Sequence, residues 1–255
     1  MKRLLLPISF LYSIVLFLRH KLYDWKILKS KSYDIPNICV GNLNLGGTGK
    51  TPHIEYLTNL LSENYKIAIL SRGYGRDTKG FILADESHTH HDIGDEPLQY
   101  FKKFKDIKVA VDENRCEGME RLLQEENPPQ VVLLDDAYQH RKIKPGLSIL
   151  LTDYYDLYSK NHLVPAGNLR DIKKAAQRAD IIVATKSPNV ITPYYRRDTE
   201  NSLKPLPHQK VFYSYIEYLD FKPFSKISYE TDIKETKTAL ILCGIANTYS
   251  LEDYL

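Results

Sequence analysis

The chain has 255 residues, enough for one large domain or one domain with a smaller appendage. An apolar content of 43% supplies a packed core and excludes wholesale disorder, and a net charge of +3 is too small to argue for a nucleic-acid partner. Cys39, Cys116 and Cys243 are widely spaced with no CxxC pair, which reads as reduced thiols of a cytosolic protein rather than a disulfide framework. The first element in chain order is an uncharged apolar run from Leu4 to Leu18, flanked by Lys2, Arg3, Arg19, Lys21, Lys26, Lys29 and Lys31 with Asp24 as the single acid. As a helix it would span about 22 Å, short of the ~30 Å hydrocarbon core. A secretory signal peptide fits the basic start, yet no small-residue cleavage site follows. A buried core helix is the plain alternative; a helix dipping into the inner face of a membrane, with Arg19, Lys21 and Lys26 near anionic head groups, suits the charge pattern better.

A strand at Ile38–Val40 then runs into Asn44-Leu45-Gly46-Gly47-Thr48-Gly49-Lys50-Thr51. Strand, glycine-rich loop and a Lys-Thr pair at a helix mouth form a phosphate cradle. Backbone N–H groups face the phosphates, Lys50 reaches the outer ones and the Thr51 hydroxyl serves Mg²⁺. Asn44 stands where the strict pattern has its first glycine. Pro52 suits the first turn of a helix continuing through Leu61.

Further strands are expected at Lys66–Leu70, Phe81–Leu83, Val109–Val111, Val131–Leu134, Ser148–Thr152 and Ile181–Thr185, with helices at 97–104, 114–126 and 171–179. This alternation predicts an α/β fold of the phosphate-loop NTPase type, a mostly parallel sheet with helices on both faces and ligands at the strands' carboxyl ends. Pro188, Pro193, Pro205 and Pro207 punctuate a polar stretch that could carry one short helix; strands at Val211–Tyr218 and Thr238–Cys243 follow. The expected organisation is a membrane-associated segment at 1–34, a core at 35–207, and a linker strand with an incomplete C-terminal subdomain at 208–255.

The chemistry gathers in a few places. Asp135-Asp136, after an apolar strand, would place a carboxylate beside the Thr51 hydroxyl for Mg²⁺. Ala137-Tyr138-Gln139-His140-Arg141 brings an imidazole and a guanidinium to the same edge. Gly94-Asp95-Glu96-Pro97 opens a helix with two acids, readable as an N-cap or as function. Arg170-Asp171 precedes another helix, where the arginine could form a surface pair or neutralise a migrating phosphoryl group. His88, His90 and His91 lack ligand-spaced partners and read as a solvated loop. Thr185-Lys186-Ser187-Pro188 has proline where a guanine-reading aspartate is needed, so GTP is unsupported.

Val40-Gly41-Asn42, Gly46-Gly47-Thr48-Gly49-Lys50-Thr51-Pro52, Ser71-Arg72-Gly73-Tyr74-Gly75, Gly94-Asp95-Glu96-Pro97, Leu134-Asp135-Asp136-Ala137-Tyr138-Gln139-His140, Pro165-Ala166-Gly167-Asn168-Leu169-Arg170 and Gly244-Ile245-Ala246-Asn247 together resemble the tetraacyldisaccharide 4′-kinase family over the whole chain. The resemblance implies ATP- and Mg²⁺-dependent phosphorylation of the 4′-hydroxyl of a tetraacylated glucosamine disaccharide 1-phosphate at the cytoplasmic face of the inner membrane, with no protein partner. It implies that Lys50, Asp95 and Arg170 are catalytic, Asp95 helping to deprotonate the sugar hydroxyl. Asn44 to Thr51 would bind nucleotide, Thr51 and Asp136 the metal, and Tyr74, Arg115, His140 and Asp171 would line the substrate site. The family usually has Glu where this chain has Asp171. Its members continue past the Gly-Ile-Ala-Asn motif to a catalytic Asp-His element, so this chain is expected to be truncated, lacking that histidine, with nucleotide binding kept and turnover reduced. The alternative from another class is a membrane-associated ATPase switch of the partitioning type, but Leu45 stands where those carry a signature lysine.

Overall fold

The computed structural model describes residues 2–218 and Leu251. A 3₁₀ turn at Lys2–Leu5 leads into α1 (Leu6–Asp24), with Pro7 in the first turn where its missing N–H is harmless. Then come β1 (Asn37–Asn42), α2 (Lys50–Ser62), β2 (Ile67–Ser71), β3 (Ile82–Leu83), α3 (His90–Ile93), α4 (Asp95–Lys103), β4 (Lys108–Val111), α5 (Arg115–Leu123), β5 (Val131–Asp135), β6 (Leu147–Asp153), β7 (Ile181–Thr185), α6 (Pro193–Leu203) and β8 (Lys210–Tyr213).

The strands form one sheet in the order β3-β4-β2-β5-β1-β6-β7-β8. Every neighbouring pair is parallel except β3 with β4 at the edge. The central strands are apolar on both faces, as a sheet covered on both sides requires. One face packs Val40, Ile67, Ile69, Leu133 and Leu151 against Ile54 of α2 and Tyr100 of α4. The other packs Cys39, Leu70, Val132, Leu134 and Leu150 against Met119 and Leu122 of α5 and the segment around Ala175. The architecture is the expected one.

Local boundaries differ. The segment expected as a helix over 171–179 is a 3₁₀ helix, Lys173–Arg178, entered from Asp171, whose carboxylate accepts from the Ile172 N–H. The strand expected to reach Tyr218 ends at Tyr213; it is the sheet's last strand, paired in parallel with β7. The expected strand Thr238–Cys243 and the motif Gly244–Asn247 lie outside the described residues. The parallel strands β1, β2, β4, β5, β6 and β7 all end at one edge, where an open α/β sheet gathers its ligands.

Candidate active site

The loop between β1 and α2 is built for backbone N–H groups to turn inward. Gly49 caps α2 at φ 83°, and Gly46 lies at φ 79°, conformations that an L side chain strains to adopt. Asn42, at the end of β1, holds the loop from within: its amide donates to the Thr48 hydroxyl at 2.6 Å and to Gly46 O at 3.2 Å. Thr185 at the end of β7 donates its hydroxyl to Thr48 O at 3.0 Å. The segment Pro165–Arg170 runs beside the loop, with Leu45 N donating to Asn168 O at 2.7 Å and Arg170 N to Leu43 O at 2.8 Å. Two motifs more than a hundred residues apart thus share one backbone ladder.

This ladder delivers Arg170 to the cradle. Its guanidinium grips both carboxylate oxygens of Asp136, one of them at 2.8 Å, and also donates to Asn42 Oδ1. Lys50 Nζ is 3.9 Å from Asp136 Oδ1. Asp136 sits just past β5 at φ 49°, a left-handed turn that aspartate tolerates. Arg170 hydrogen bonds and the Lys50 charge hold its carboxyl below the usual range despite burial. Lys50, Asp136 and Arg170, named separately from sequence, are therefore one network.

Asp135 is different in character. It is enclosed, and burial, with Glu96 and Asp136 nearby, pushes its carboxyl up to about 7. Ser71 donates to its Oδ2 at 3.3 Å, while Oδ1 has no hydrogen-bond partner. Thr51 donates its hydroxyl to Glu96 Oε1 at 2.8 Å, which leaves the Thr51 oxygen lone pairs free to face a cation. The unpartnered Asp135 oxygen, the Thr51 hydroxyl and the Asp136 carboxylate are hard oxygen donors of the type Mg²⁺ takes, while among the described residues no group of three or more acidic, histidine or cysteine side chains gathers as a metal site.

The remaining expected residues divide. Asp95 is exposed in the first turn of α4, directly before Glu96. Gly94 lies at φ 90°, and a Cβ there would stand 2.8 Å from Tyr74 O, so the turn before Asp95 packs against the Ser71–Gly75 loop. Tyr74 is 86% exposed at that loop's tip. Arg115 is buried, donating to Asp112 O and Glu113 O at 3.3 Å with Nε unpartnered; burial first and then Arg72 lower its pKa. His140 is half-buried with Nε2 unpartnered, and burial followed by the Arg115 charge presses its pKa down to about 4. Asp171 does not join the cradle. It is enclosed, accepts from His20 Nε2 of α1 at 2.6 Å and lies 3.7 Å from Arg178.

Sequence reasoning missed three participants. Asn42 carried a weak signal as the polar end of an apolar strand. Glu96 was visible in its motif but not its reach to Thr51, which depends on how α4 meets α2. His20 gave no signal, because its partner is 151 residues away.

A profile of the family described as tetraacyldisaccharide-1-P 4′-kinase matches residues 1–255. The chain is 46% identical over 258 residues to the tetraacyldisaccharide 4′-kinase of Flavobacterium johnsoniae, covering 100% of this chain and 75% of that protein. It is 47% identical over 245 residues to the kinase of the same name from Bacteroides thetaiotaomicron, covering 96% of this chain but 64% of that longer protein. Among solved structures, it is similar to LpxK from Aquifex aeolicus, a structure in complex with ATP, with a TM-score of 0.68, 31% identity, and coverage of 88% of this chain and 86% of that one.

Proposed function

Because the chain belongs to the tetraacyldisaccharide-1-P 4′-kinase family, we propose that it transfers the γ-phosphate of ATP to the 4′-hydroxyl of a tetraacylated glucosamine disaccharide 1-phosphate, a lipid A precursor. The observation that carries the reading at the residue level is the Lys50–Asp136–Arg170 network at the mouth of the glycine loop. Two cations flank a carboxylate where the outer phosphates would lie, so arriving phosphate oxygens replace Asp136 as their partner. Lys50 and Arg170 then face the charge that builds on the transferring group. Backbone N–H groups from Asn44 to Thr51 orient the nucleotide. Mg²⁺ would be held by Thr51 and Asp136 and would neutralise phosphate charge. Asp95, an exposed carboxylate directly before the Glu96 that accepts from Thr51, takes the proton of the sugar hydroxyl, and Tyr74, Arg115 and His140 line the disaccharide's approach. Asp171 acts through structure, by fixing the segment that carries Arg170.

Membrane association follows from α1. Among the described residues no helix is long and apolar enough to cross a membrane. Yet Ile8, Phe10, Leu11, Val15 and Leu18 are exposed along α1, while Ser9, Leu16, His20 and Tyr23 are buried. A helix with one face docked and a bare apolar face lies in the lipid interface, at the cytoplasmic face where ATP is available.

The test is transfer of label from γ-labelled ATP to the disaccharide 1-phosphate in detergent with Mg²⁺. The wild type labels the lipid, while Lys50→Ala and Asp95→Ala do not. Equal labelling by Asp95→Ala would remove its assigned role, and equal labelling by Lys50→Ala would overturn the cradle.

A further inference from the structure

Residues on the two flanks of α1 look at different things. Tyr12 and Arg19 face the active-site edge, where the Tyr12 hydroxyl approaches Arg170 O at 3.5 Å and Arg19 donates to Gln139 O at 3.0 Å. Phe17, His20, Lys21 and Asp24, spaced i, i+3, i+4 and i+7, form the other flank. There they wall a cavity of about 140 Å³ with Lys174, Arg178 and Arg141.

Its polar wall is unusual. His20 donates from Nε2 to Asp171, so Nδ1 offers a single lone pair. Arg178 points an N–H at that atom from 2.9 Å and Arg141 another from 3.1 Å. One lone pair cannot satisfy both, and each guanidinium also takes a backbone acceptor, Arg141 on His20 O and Arg178 on Tyr138 O, both at 3.0 Å. The two guanidiniums are held rigid by stacking, Arg141 4.9 Å from the centre of the Tyr23 ring and Arg178 4.8 Å from that of Tyr138. Arg141 pairs with Asp24 and Arg178 with Asp171. Lys21 and Lys174 have no carboxylate within ion-pair distance among the described residues, so four cations face two acids.

We propose that this cavity is a head-group site for the phosphate of an anionic phospholipid. The inference rests on the reading of α1 as a membrane-surface helix. Pre-organised arginine forks and mobile lysines suit phosphate oxygens. The rim residue Phe17 belongs to the exposed apolar face of α1, so a lipid phosphate in the cavity would run its acyl chains alongside that face. A soluble phosphate would leave the apolar rim unused. None of Lys50, Asp136 and Arg170 lines the cavity.

Trp25, the chain's single tryptophan and the residue that ends α1, reports on the site. The full chain is titrated with dihexanoyl phosphatidylglycerol below its micelle threshold, with dihexanoyl phosphatidylcholine and with inorganic phosphate. The expected result is a saturable emission change with phosphatidylglycerol, at least ten-fold weaker with the other two. Lys21→Ala and Lys174→Ala each weaken it about five-fold, the strength of one basic residue near an anionic lipid. Lys29→Ala, outside the cavity, leaves it unchanged. Equal weakening by Lys29→Ala, equal affinity for inorganic phosphate, or no response to phosphatidylglycerol would each overturn the proposal. So would a raised KM for the disaccharide in Lys174→Ala, which would assign the cavity to the substrate. Vesicle sedimentation separates the two readings: binding to vesicles without a Trp25 response sinks only the cavity, whereas a Trp25 response without vesicle binding sinks only the membrane helix.

Discussion

Arg170 and Asp171 are neighbours in sequence and look in opposite directions. Arg170 enters the phosphate cradle to hold Asp136, with side chains 24% and 28% exposed. Asp171 turns inward to His20, with side chains 1% and 7% exposed. The first pair can exchange its partners for a ligand, because water and phosphate can reach it. The second cannot, because removing either member strands a buried polar group. One short motif therefore does two jobs: it supplies a charge to the site and it pins α1 to the sheet edge that carries the site.

That contrast is broken most severely by Asp171→Ala. Losing one partner of a buried pair costs about 3–5 kcal/mol, which thermal unfolding would register as a fall on the order of 10 °C. Activity measured well below the new Tm would fall much less. Arg170→Ala is the mirror case: kcat drops on the order of 10²–10³-fold for a lost charge-stabilising group, with Tm nearly unchanged. If Arg170→Ala unfolds the protein and Asp171→Ala spares it, the assignment is inverted.

A third test uses pH. The folded chain keeps His140 neutral down to about pH 4, whereas the unfolded chain protonates it near 6.5. Its contribution is complete above pH 6.5 and is lost as pH falls toward 4; because the ring is only half-buried, solvent screening trims its size to on the order of 1 kcal/mol. Urea unfolding across that window should show the slope, and His140→Gln should flatten it. The smallest effect is expected from Asp135→Asn. Removing a carboxyl whose ionised form burial, Glu96 and Asp136 disfavour should raise stability at pH 8 by about 1 kcal/mol while lowering turnover. A loss of stability would mean that the Ser71 hydrogen bond outweighs the repulsion.

Much of this was legible in the residues. Val131–Leu134 and Ile181–Ala184 are continuous apolar runs, as strands of a sheet covered on both faces require. The glycine loop announced itself because its spacing is set by phosphate geometry, a local constraint. The Asp171–His20 pin was not legible, since a long-range ion pair leaves no periodicity in either segment. The 3₁₀ turn at Lys173–Arg178 fell between templates: its alanines favour a helix, but docking against Gln209, which donates to Ala176 O and Ala179 O, keeps it tight.

The most direct measurement of the central claim is where the label goes. With γ-labelled ATP, Mg²⁺ and the tetraacylated disaccharide 1-phosphate, fragmentation of the product should locate the new phosphate on the 4′-oxygen, with Arg170→Ala slowed in proportion. Release of labelled inorganic phosphate at the same rate with and without the lipid, and no label on the sugar, would contradict it.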